Sequence, residues 1–359
     1  MNLASLNVRS FRNYAQPYRL ELSPTVTLIV GNNGSGKTNL LEAAYFLATA
    51  HSSRVRYDSQ LINWDSDVAW IGGELQSKEE TVRLDLSLAK REIGSNLTTK
   101  RYLVNQVGKK AKDFLDRFTA VLFTPEDIKL VLGSPNRRRE FLDEVLKQKN
   151  QVYTYHCNQY QKALRQKSRL LKLIRAGEQS AEQLDFWNDL LLTNGKVINQ
   201  QRQNFFDFCA QTLPLVNKQI FDQSELRLGY YPKTISRENL EKYAQAEAAS
   251  GNCLIGPHRD DFTFWLDSRD LAFFGSRGQQ RLATLALKIV EYEFLSRDAT
   301  TPLLLLDDIF SELDSHRQKL VLSLAERGQT VIATTHQELV PEEYQRKWKV
   351  VTISTPIIE

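Results

Sequence analysis

The first part of the chain alternates between apolar and polar positions, as strands do when they bury one face. Residues 3–8 and 18–22 both alternate in this way, and Ser23-Pro24 ends the second segment. A continuous apolar run at 26–30 predicts a fully buried strand. The segment 39–47, which follows, is rich in good helix formers. Residues 3–47 are therefore predicted to form two half-buried strands, then one fully buried strand, then a helix.

Three further patterns divide the rest of the chain. Residues 69–75 and 81–88 alternate around a charged turn, which predicts an antiparallel β lobe inserted after the first helix. From 136 to 251 the chain is largely rich in Gln, Lys, Asn and Leu, with apolar positions at helical spacing. A short antiparallel helical hairpin with a polar surface is expected there. Two later segments, 303–308 and 330–336, run from apolar to polar residues, which is typical of parallel strands in α/β folds.

Composition narrows the class of protein. The chain has 359 residues, enough for two ordinary domains or one large discontinuous one. Its 42% hydrophobic and 25% charged residues are typical of a soluble protein, and no apolar run approaches the ~20 residues of a membrane span. The start of the chain lacks the charged segment and apolar core of a signal peptide, and the three cysteines are widely spaced. We therefore expect a cytoplasmic protein with no membrane partner.

The loop between the buried strand and the helix reads G-x-x-x-x-G-K-T, the phosphate-binding P-loop. The strand before it and the helix after it make a chance match improbable. Its glycines let backbone N–H groups point at phosphate oxygens, and the helix N-terminus adds positive potential. Lys37 would hold the β- and γ-phosphates, and the Thr38 hydroxyl would bind Mg²⁺. The predicted ligands are ATP and Mg²⁺, and the predicted nucleotide-binding residues are Gly31, Asn32, Asn33, Gly34, Ser35, Gly36, Lys37 and Thr38.

The apolar segment that begins at residue 303 ends in two carboxylates, Asp307 and Asp308. Alone, this pair could be a solvated strand end. Downstream of a P-loop it has the Walker B pattern, in which Asp307 binds Mg²⁺. Asp308 then lies where a carboxylate can orient or deprotonate the attacking water.

The glycine-rich segment 275–281 has two compatible interpretations. Ser276 begins a helix, so its side chain could serve as an N-cap. It could also belong to the signature of ABC ATPases, which contacts the γ-phosphate of a nucleotide bound to a second protomer, since a helix N-terminus binds phosphate by the same physics. In that interpretation Gly278 and Gln279 complete the signature.

Two segments after the Walker B strand also resemble elements of ABC ATPases. His336 ends an apolar strand; alone it would be a structural or surface histidine, but in this context it resembles the switch histidine that senses the γ-phosphate. Ser311 and Asp314 lie in a segment that resembles the D-loop of ABC ATPases, which follows the dimer seam. No glutamine near residues 123–127 has the context of a Q-loop.

As a set, these motifs resemble the RecF family of recombination mediators, which are related to SMC-type ABC ATPases. The resemblance covers nearly the whole chain and rests on segments 11–14, 31–38, 123–127, 137–143, 256–261, 275–281 and 306–314. It implies an α/β fold with an ABC-ATPase-type P-loop head, an antiparallel β lobe and a helical arm domain. We expect a discontinuous head at 1–135 and 252–359, and the arm at 136–251. Arg12, in the first motif, would then contact nucleotide.

The resemblance also implies a function. It predicts a slow, DNA-stimulated ATPase that acts in DNA replication, gap repair, recombination and the SOS response. ATP would drive head-to-tail homodimerisation on DNA, with a preference for duplex beside a single-stranded gap, and hydrolysis would release the dimer. The implied protein partners are RecR and, indirectly, RecO and RecA.

DNA contacts are the least specific part of the prediction. The net charge is only +4, so clustering decides whether basic residues bind nucleic acid. We favour a group in or near the β lobe over the run 137–139, because positive charge at the start of a helix opposes the dipole and indicates an ionic partner, such as acidic groups at the domain junction, rather than DNA. The predicted DNA-binding residues are Arg54, Arg56, Lys109, Lys110 and Lys112.

Two alternatives remain open at this point. A nucleotide-binding subunit of a membrane transporter would share the P-loop and the signature, but the polar helical arm argues against it. An SMC-like structural protein would bind ATP only as a scaffold. Measured turnover, with and without DNA, separates these alternatives.

Overall fold

The structure, a computed structural model, describes residues 1–92, 95–221, 223–296 and 301–354. Its strands are β1 (Asn2–Arg9), β2 (Tyr18–Glu21), β3 (Val26–Val30), β4 (Val68–Gln76), β5 (Thr81–Lys90), β6 (Thr98–Val104), β7 (Val107–Lys109), β8 (Ala120–Phe123), β9 (Leu226–Tyr231), β10 (Asp261–Leu266), β11 (Arg269–Asp270), β12 (Leu303–Asp307), β13 (Thr330–Thr334) and β14 (Lys349–Thr352). Its helices are α1 (Lys37–Thr49), α2 (Ala111–Leu115), α3 (Lys129–Leu132), α4 (Pro135–Lys149), α5 (Gln151–Arg175), α6 (Leu184–Ile220), α7 (Arg237–Ser250), α8 (Leu271–Phe274), α9 (Arg277–Leu295), α10 (Ser315–Ala325) and α11 (Glu342–Gln345). Among these helices, none combines the length and the apolar character needed to cross a bilayer.

The chain divides into two compact units. The head unit is Met1–Asp127 with Glu291–Glu359, and the arm unit is Ile128–Val290. The predicted boundaries, 135 and 252, differ from these. The segment after residue 252 belongs to the arm unit because β10 pairs along its whole length with β9, with Phe262 opposite Tyr230. Pairing between strands 30 or more residues apart leaves no mark in local periodicity.

A parallel five-stranded sheet in the order β14-β3-β13-β12-β8 carries the nucleotide motifs of the head unit. Every residue of β12 and β13 is buried, which confirms the strands predicted from continuous apolar runs. Asp307 lies opposite Ala333, and Thr334 lies opposite Val30. The three strands therefore end at one edge, where ligands bind in open α/β sheets.

The second sheet of the head unit is antiparallel, with six strands in the order β2-β1-β4-β5-β6-β7. The predicted β lobe inserted after α1 is present as β4 to β7, but β1 and β2 also belong to this sheet. Leu6 of β1 pairs with Leu20 of β2 on one side and with Gly73 of β4 on the other. Helix α1 packs closely here, because a Cβ on Gly73 would lie 2.5 Å from Leu47 Cδ2. Phe46 and Leu47 are fully buried in the shared core.

The arm unit is built on the predicted helical hairpin. Helices α5 and α6 run antiparallel, since Asn150 contacts Gln201 and His156 Nδ1 lies 2.8 Å from Asn194 Oδ1. A three-stranded antiparallel sheet in the order β11-β10-β9 completes the unit. Helix α7, also predicted, follows β9.

The basic run at the start of α4 has the acidic partner that its charge indicated. Arg138 donates through Nε and Nη2 to the two carboxylate oxygens of Asp261, at 2.7 and 2.9 Å. Arg139 donates to the backbone carbonyl of Asp260. Within the arm unit, Arg138 is therefore paired with a carboxylate and Arg139 is held by a backbone carbonyl.

Candidate nucleotide-binding site

The P-loop joins β3 to α1 at the ligand-binding edge of the parallel sheet. Gly36 has φ 98°, a left-handed conformation that favours glycine. A Cβ at this position would lie 2.7 Å from the Tyr14 hydroxyl and 2.8 Å from Asn13 Nδ2. The glycine is thus required both by the turn and by the residues packed beneath it.

Lys37 occupies the centre of the loop. Its ammonium donates to the carbonyls of Gly31 and Asn32, at 2.6 and 2.9 Å, and the residue is only 6% exposed. Burial lowers the pKa of Lys37, whereas the nearby carboxylates Asp308 and Asp307 act in the opposite direction. The charge that the sequence assigned to phosphate binding is therefore enclosed by the loop itself.

Thr38 and Asp307 come together although 269 residues separate them: the Thr38 hydroxyl donates to Asp307 Oδ1 at 2.8 Å. Burial raises the pKa of Asp307 to about 6, and the Thr38 hydrogen bond and the charge of Arg54 oppose that rise. A hydroxyl and a carboxylate in contact are the donor set that holds Mg²⁺ in P-loop ATPases, with waters and phosphate oxygens completing the octahedron. Thr38 and Asp307 therefore fit a Mg²⁺ site.

Asp308 is held by its backbone rather than by its side chain. It adopts φ 48°, and its N–H donates to the carbonyl of Ala333 at 2.9 Å. Asp308 Oδ1 is buried and has no hydrogen-bond partner in the described part of the chain. The same is true of Ser35 Oγ and Tyr14 Oη. Buried polar atoms are almost always paired, so three unpaired ones around one loop indicate a site made for a polar ligand or water.

The remaining head residues of the prediction lie along the same edge or next to it. His336 follows β13, its ring is 59% exposed, and its Nδ1 lies 3.1 Å from Glu338 Oε1. Ser311 donates to the backbone carbonyl of Asp308 at 2.9 Å, so the predicted D-loop segment is tied to the backbone just after the Walker B strand. Asp314 caps α10 by accepting from the Arg317 N–H at 2.9 Å.

Ser276 lies in the arm unit, at the start of α9. Its hydroxyl accepts from the Gln279 N–H at 3.2 Å, and Gln279 Oε1 accepts from the Ser276 N–H at 2.9 Å. This reciprocal pair is a capping box, so the N-cap interpretation is confirmed. Ser276, Gly278 and Gln279 are all exposed, and a contact with the nucleotide of a second protomer stays a prediction.

Sequence reasoning missed Glu42, which links two of the predicted residues. Glu42 lies in α1, is 1% exposed, and accepts hydrogen bonds from Arg12 and Arg54. Asn13 and Asn39 also bond to each other, at 2.7 Å. One signal was available: Glu42 is the only charged residue in the otherwise largely apolar segment 39–47. A lone carboxylate on a buried helix needs a cationic partner.

The predicted DNA-binding residues fall into two groups. Arg54 is paired with Glu42 beside α1, so it lies at the nucleotide site. Lys109, Lys110 and Lys112 are exposed around β7 and α2, and none forms an ion pair within the described residues. Arg56 is exposed and lies over the ring of Tyr57. The exposed lysines remain a predicted DNA surface.

Comparisons of sequence identify the family of the chain. The family model described as "RecF/RecN/SMC N terminal domain" matches residues 2–357. The DNA replication and repair protein RecF of Bacillus cytotoxicus is 34% identical over 376 residues, covering 100% of this chain and 98% of the relative. The same protein of Bacillus thuringiensis is also 34% identical, over 377 residues.

Comparisons of structure also find RecF proteins among the similar chains. The recombination mediator protein RecF-ATP in the RecFOR pathway superposes with a TM-score of 0.84 and 29% identity, over 95% of this chain and 93% of that one. RecF-ATPrS of that pathway has a TM-score of 0.83 and 29% identity, over 94% of each chain. An Smc head domain from Pyrococcus furiosus has a TM-score of 0.54 at 16% identity, covering 99% of this chain and 94% of that one, and shows a shared fold.

Proposed function

The chain belongs to the RecF family of DNA replication and repair proteins, and we propose that it is an ATP-dependent, DNA-binding recombination mediator. The contact between Thr38 and Asp307 carries this proposal. It brings the P-loop and the Walker B carboxylate to hydrogen-bonding distance, 2.8 Å, at the edge where three buried strands end. Such a pair has a specific use in binding the metal of a nucleoside triphosphate.

The site's own residues support hydrolysis as well as binding. Lys37 supplies positive charge within the loop, and bound Mg²⁺ would add charge stabilisation at the phosphate oxygens. Asp308, one of whose oxygens is buried without a hydrogen-bond partner among the described residues, accepts a proton from, or orients, the attacking water. Aspartate is one methylene shorter than the glutamate common at this position in ABC enzymes. Turnover is therefore slow, near or below the low end of the typical ~1–10³ s⁻¹ range.

ATP acts on the protein by closing a homodimer. Ser276 and the N-terminus of α9 form a phosphate-binding end, and they meet the γ-phosphate held by the P-loop of a second protomer related by a two-fold axis. ADP lacks the γ-phosphate that both protomers contact, so it does not favour the closed state. His336 and the D-loop residues Ser311 and Asp314 take part in the same closed site.

The partners follow from family membership. DNA, preferably duplex beside a single-stranded gap, binds the closed dimer through exposed cations such as Lys109, Lys110 and Lys112. RecR is the direct protein partner, with RecO and RecA acting further along the same pathway, in gap repair and the SOS response. Two solved relatives, at 29% identity, are mediators of the RecFOR pathway.

Turnover and DNA binding measured together test the proposal. ATP hydrolysis is measured with no DNA, with blunt duplex and with gapped duplex, and DNA binding is measured with ATP and with ADP. We expect slow hydrolysis that DNA stimulates, and DNA binding that requires ATP. Binding of ATP without any turnover would favour an SMC-like scaffold instead. Turnover that no DNA changes, together with DNA binding that is equal in ATP and ADP, would remove the mediator function.

A further inference from the structure

Glu42 has an unusual set of neighbours for a residue inside a buried helix. Arg12 donates to both of its carboxylate oxygens, through Nη2 at 2.7 Å and Nε at 2.8 Å. Arg54 donates to Oε2 at 2.9 Å, and the Ser52 hydroxyl donates to Oε1 at 2.5 Å. One carboxylate thus holds two guanidiniums that come from different segments, one before α1 and one after it.

The two arginines differ in how many of their donors are used: Arg12 donates from all three of its side-chain nitrogens, Nη1 to the Gln60 carbonyl at 3.2 Å. Arg54 also bonds Asn39 through Nη1, which leaves its Nε and Nη2 without an acceptor in the described residues. The Arg54 side chain is 29% exposed and that of Arg12 is 21% exposed. The Arg12 guanidinium is therefore fixed through all three nitrogens, whereas that of Arg54 is fixed at one end and open at the other.

Both arginines line a cavity whose other lining residues lie mostly between 55 and 64. It has a volume of about 580 Å³ and is lined by Arg12 and Arg54, with the exposed Trp64 on its wall. Arg54 is also near enough to Asp307 for its charge to be felt there. Arg54 Nη1 also lies 3.3 Å from Oδ1 of Asn39, the residue that follows Thr38, so Arg54 is next to the P-loop.

We propose that Glu42 is a positioning residue for nucleotide binding, because it holds the guanidiniums of Arg12 and Arg54 side by side at the nucleotide site. Two cations repel each other unless an anion lies between them, and Glu42 supplies that anion from α1, the helix that begins at Lys37. Bidentate pairing with Arg12 also fixes direction, which a single point contact does not. The inference rests on the proposed binding of ATP.

A purely structural role makes a different prediction. If Glu42 only stabilises the fold, removing its charge lowers the midpoint of thermal unfolding, and any change in nucleotide affinity is the same with and without Arg54. If it acts through the arginines, the loss of affinity depends on Arg54 being present. A double-mutant cycle in ATP affinity distinguishes these cases.

The experiment uses the full chain and a fluorescent ATP analogue, with thermal unfolding recorded in parallel. Glu42→Gln is expected to weaken ATP binding about tenfold, as loss of a supporting residue does at metal sites. In the Arg54→Ala background the same change is expected to cost clearly less, about threefold or below, because one of its two targets is gone. Should Glu42→Gln fail to fold, Glu42→Asp, which keeps the charge but is shorter, carries the same cycle.

Glu74→Gln is the matched control. Glu74 lies on the antiparallel sheet of the same unit and, like Glu42, accepts from an arginine and a serine, Arg19 and Ser5. Its variant should bind ATP as the wild type does. Unchanged affinity in Glu42→Gln, or an equal loss with and without Arg54, would overturn the positioning role. Failure of the wild type to bind ATP would instead remove the proposed function.

Discussion

Replacing Asp307 by asparagine should stabilise the protein that lacks nucleotide while removing a ligand of the proposed metal site. Asp307 is 6% exposed, and burial raises its pKa from the ordinary 3.8 to about 6. A carboxyl whose pKa is higher in the folded state favours folding in its protonated form. That contribution is complete below pH 3.8 and is lost as the pH rises through 6. Above this window the folded protein carries the cost of a buried anion.

The size of the effect follows from the same shift. A rise from 3.8 to about 6, at about 1.4 kcal/mol for each pKa unit, corresponds to roughly 3 kcal/mol at neutral pH and above. Asparagine removes the charge and keeps an oxygen that accepts from Thr38, so that hydrogen bond is retained. We expect Asp307→Asn to raise the unfolding free energy by up to about 3 kcal/mol at pH 8, and the gain to shrink toward zero near pH 4.

The assay is thermal unfolding without nucleotide from pH 4 to pH 8. The relevant transition is the one that ATP with Mg²⁺ shifts upward in the wild type, because the chain has two compact units and a single midpoint does not describe both. Asp65→Asn, at an exposed carboxylate of the same unit, should change nothing. The variant should also lose the Mg²⁺-dependent shift. A variant that is equal to or less stable than the wild type at pH 8 would refute the reasoning.

Three further predictions concern nucleotide and DNA. Lys37→Met should abolish ATP binding, because no other residue of the loop supplies a charge at the phosphates; unchanged affinity in a nucleotide titration would remove the P-loop assignment. Asp308→Asn should bind ATP, stop hydrolysis and accumulate the ATP-bound dimer, and fast turnover in this variant would place the base elsewhere. Paired changes to glutamate should weaken DNA binding and lower the log–log salt slope by roughly 0.9 for each lost phosphate contact, whereas wild-type slopes in every pair would move the DNA surface away from these residues. The pairs are drawn from Arg56, Lys109, Lys110 and Lys112.

Contiguous motifs made much of this site predictable from the sequence. The P-loop and the Walker B carboxylates each occupy a few consecutive residues, and each follows an apolar strand that periodicity reveals. Both Thr38 and Asp307 were predicted to bind Mg²⁺, and their direct hydrogen bond is a finding of the structure. The helical hairpin was predictable for the same reason, because helical spacing is a local signal.

The parts that were missed depend on pairing across long stretches of chain. Strands β1 and β2 belong to the antiparallel sheet because Leu6 faces both Leu20 and Gly73, and nothing in the local pattern of β1 selects those neighbours. Arg54 resembled a DNA contact because it lies in a basic loop, yet its partner Glu42 lies 12 residues earlier, inside a helix. A basic cluster shows charge but not its partners, and only the fold shows which cations are already paired.

Sedimentation of Ser276→Arg with ATP tests the central claim, a nucleotide site shared by two protomers. The change places a bulky cation where a γ-phosphate contact and close backbone approach are needed, in an exposed residue far along the chain from the P-loop. We expect the variant to bind a fluorescent nucleotide with near wild-type affinity and to stay monomeric with ATP. It should also fail to hydrolyse ATP and should lose ATP-dependent DNA binding. Wild-type protein should dimerise with ATP but not with ADP. An ATP-bound variant that still sediments as a dimer would contradict the claim.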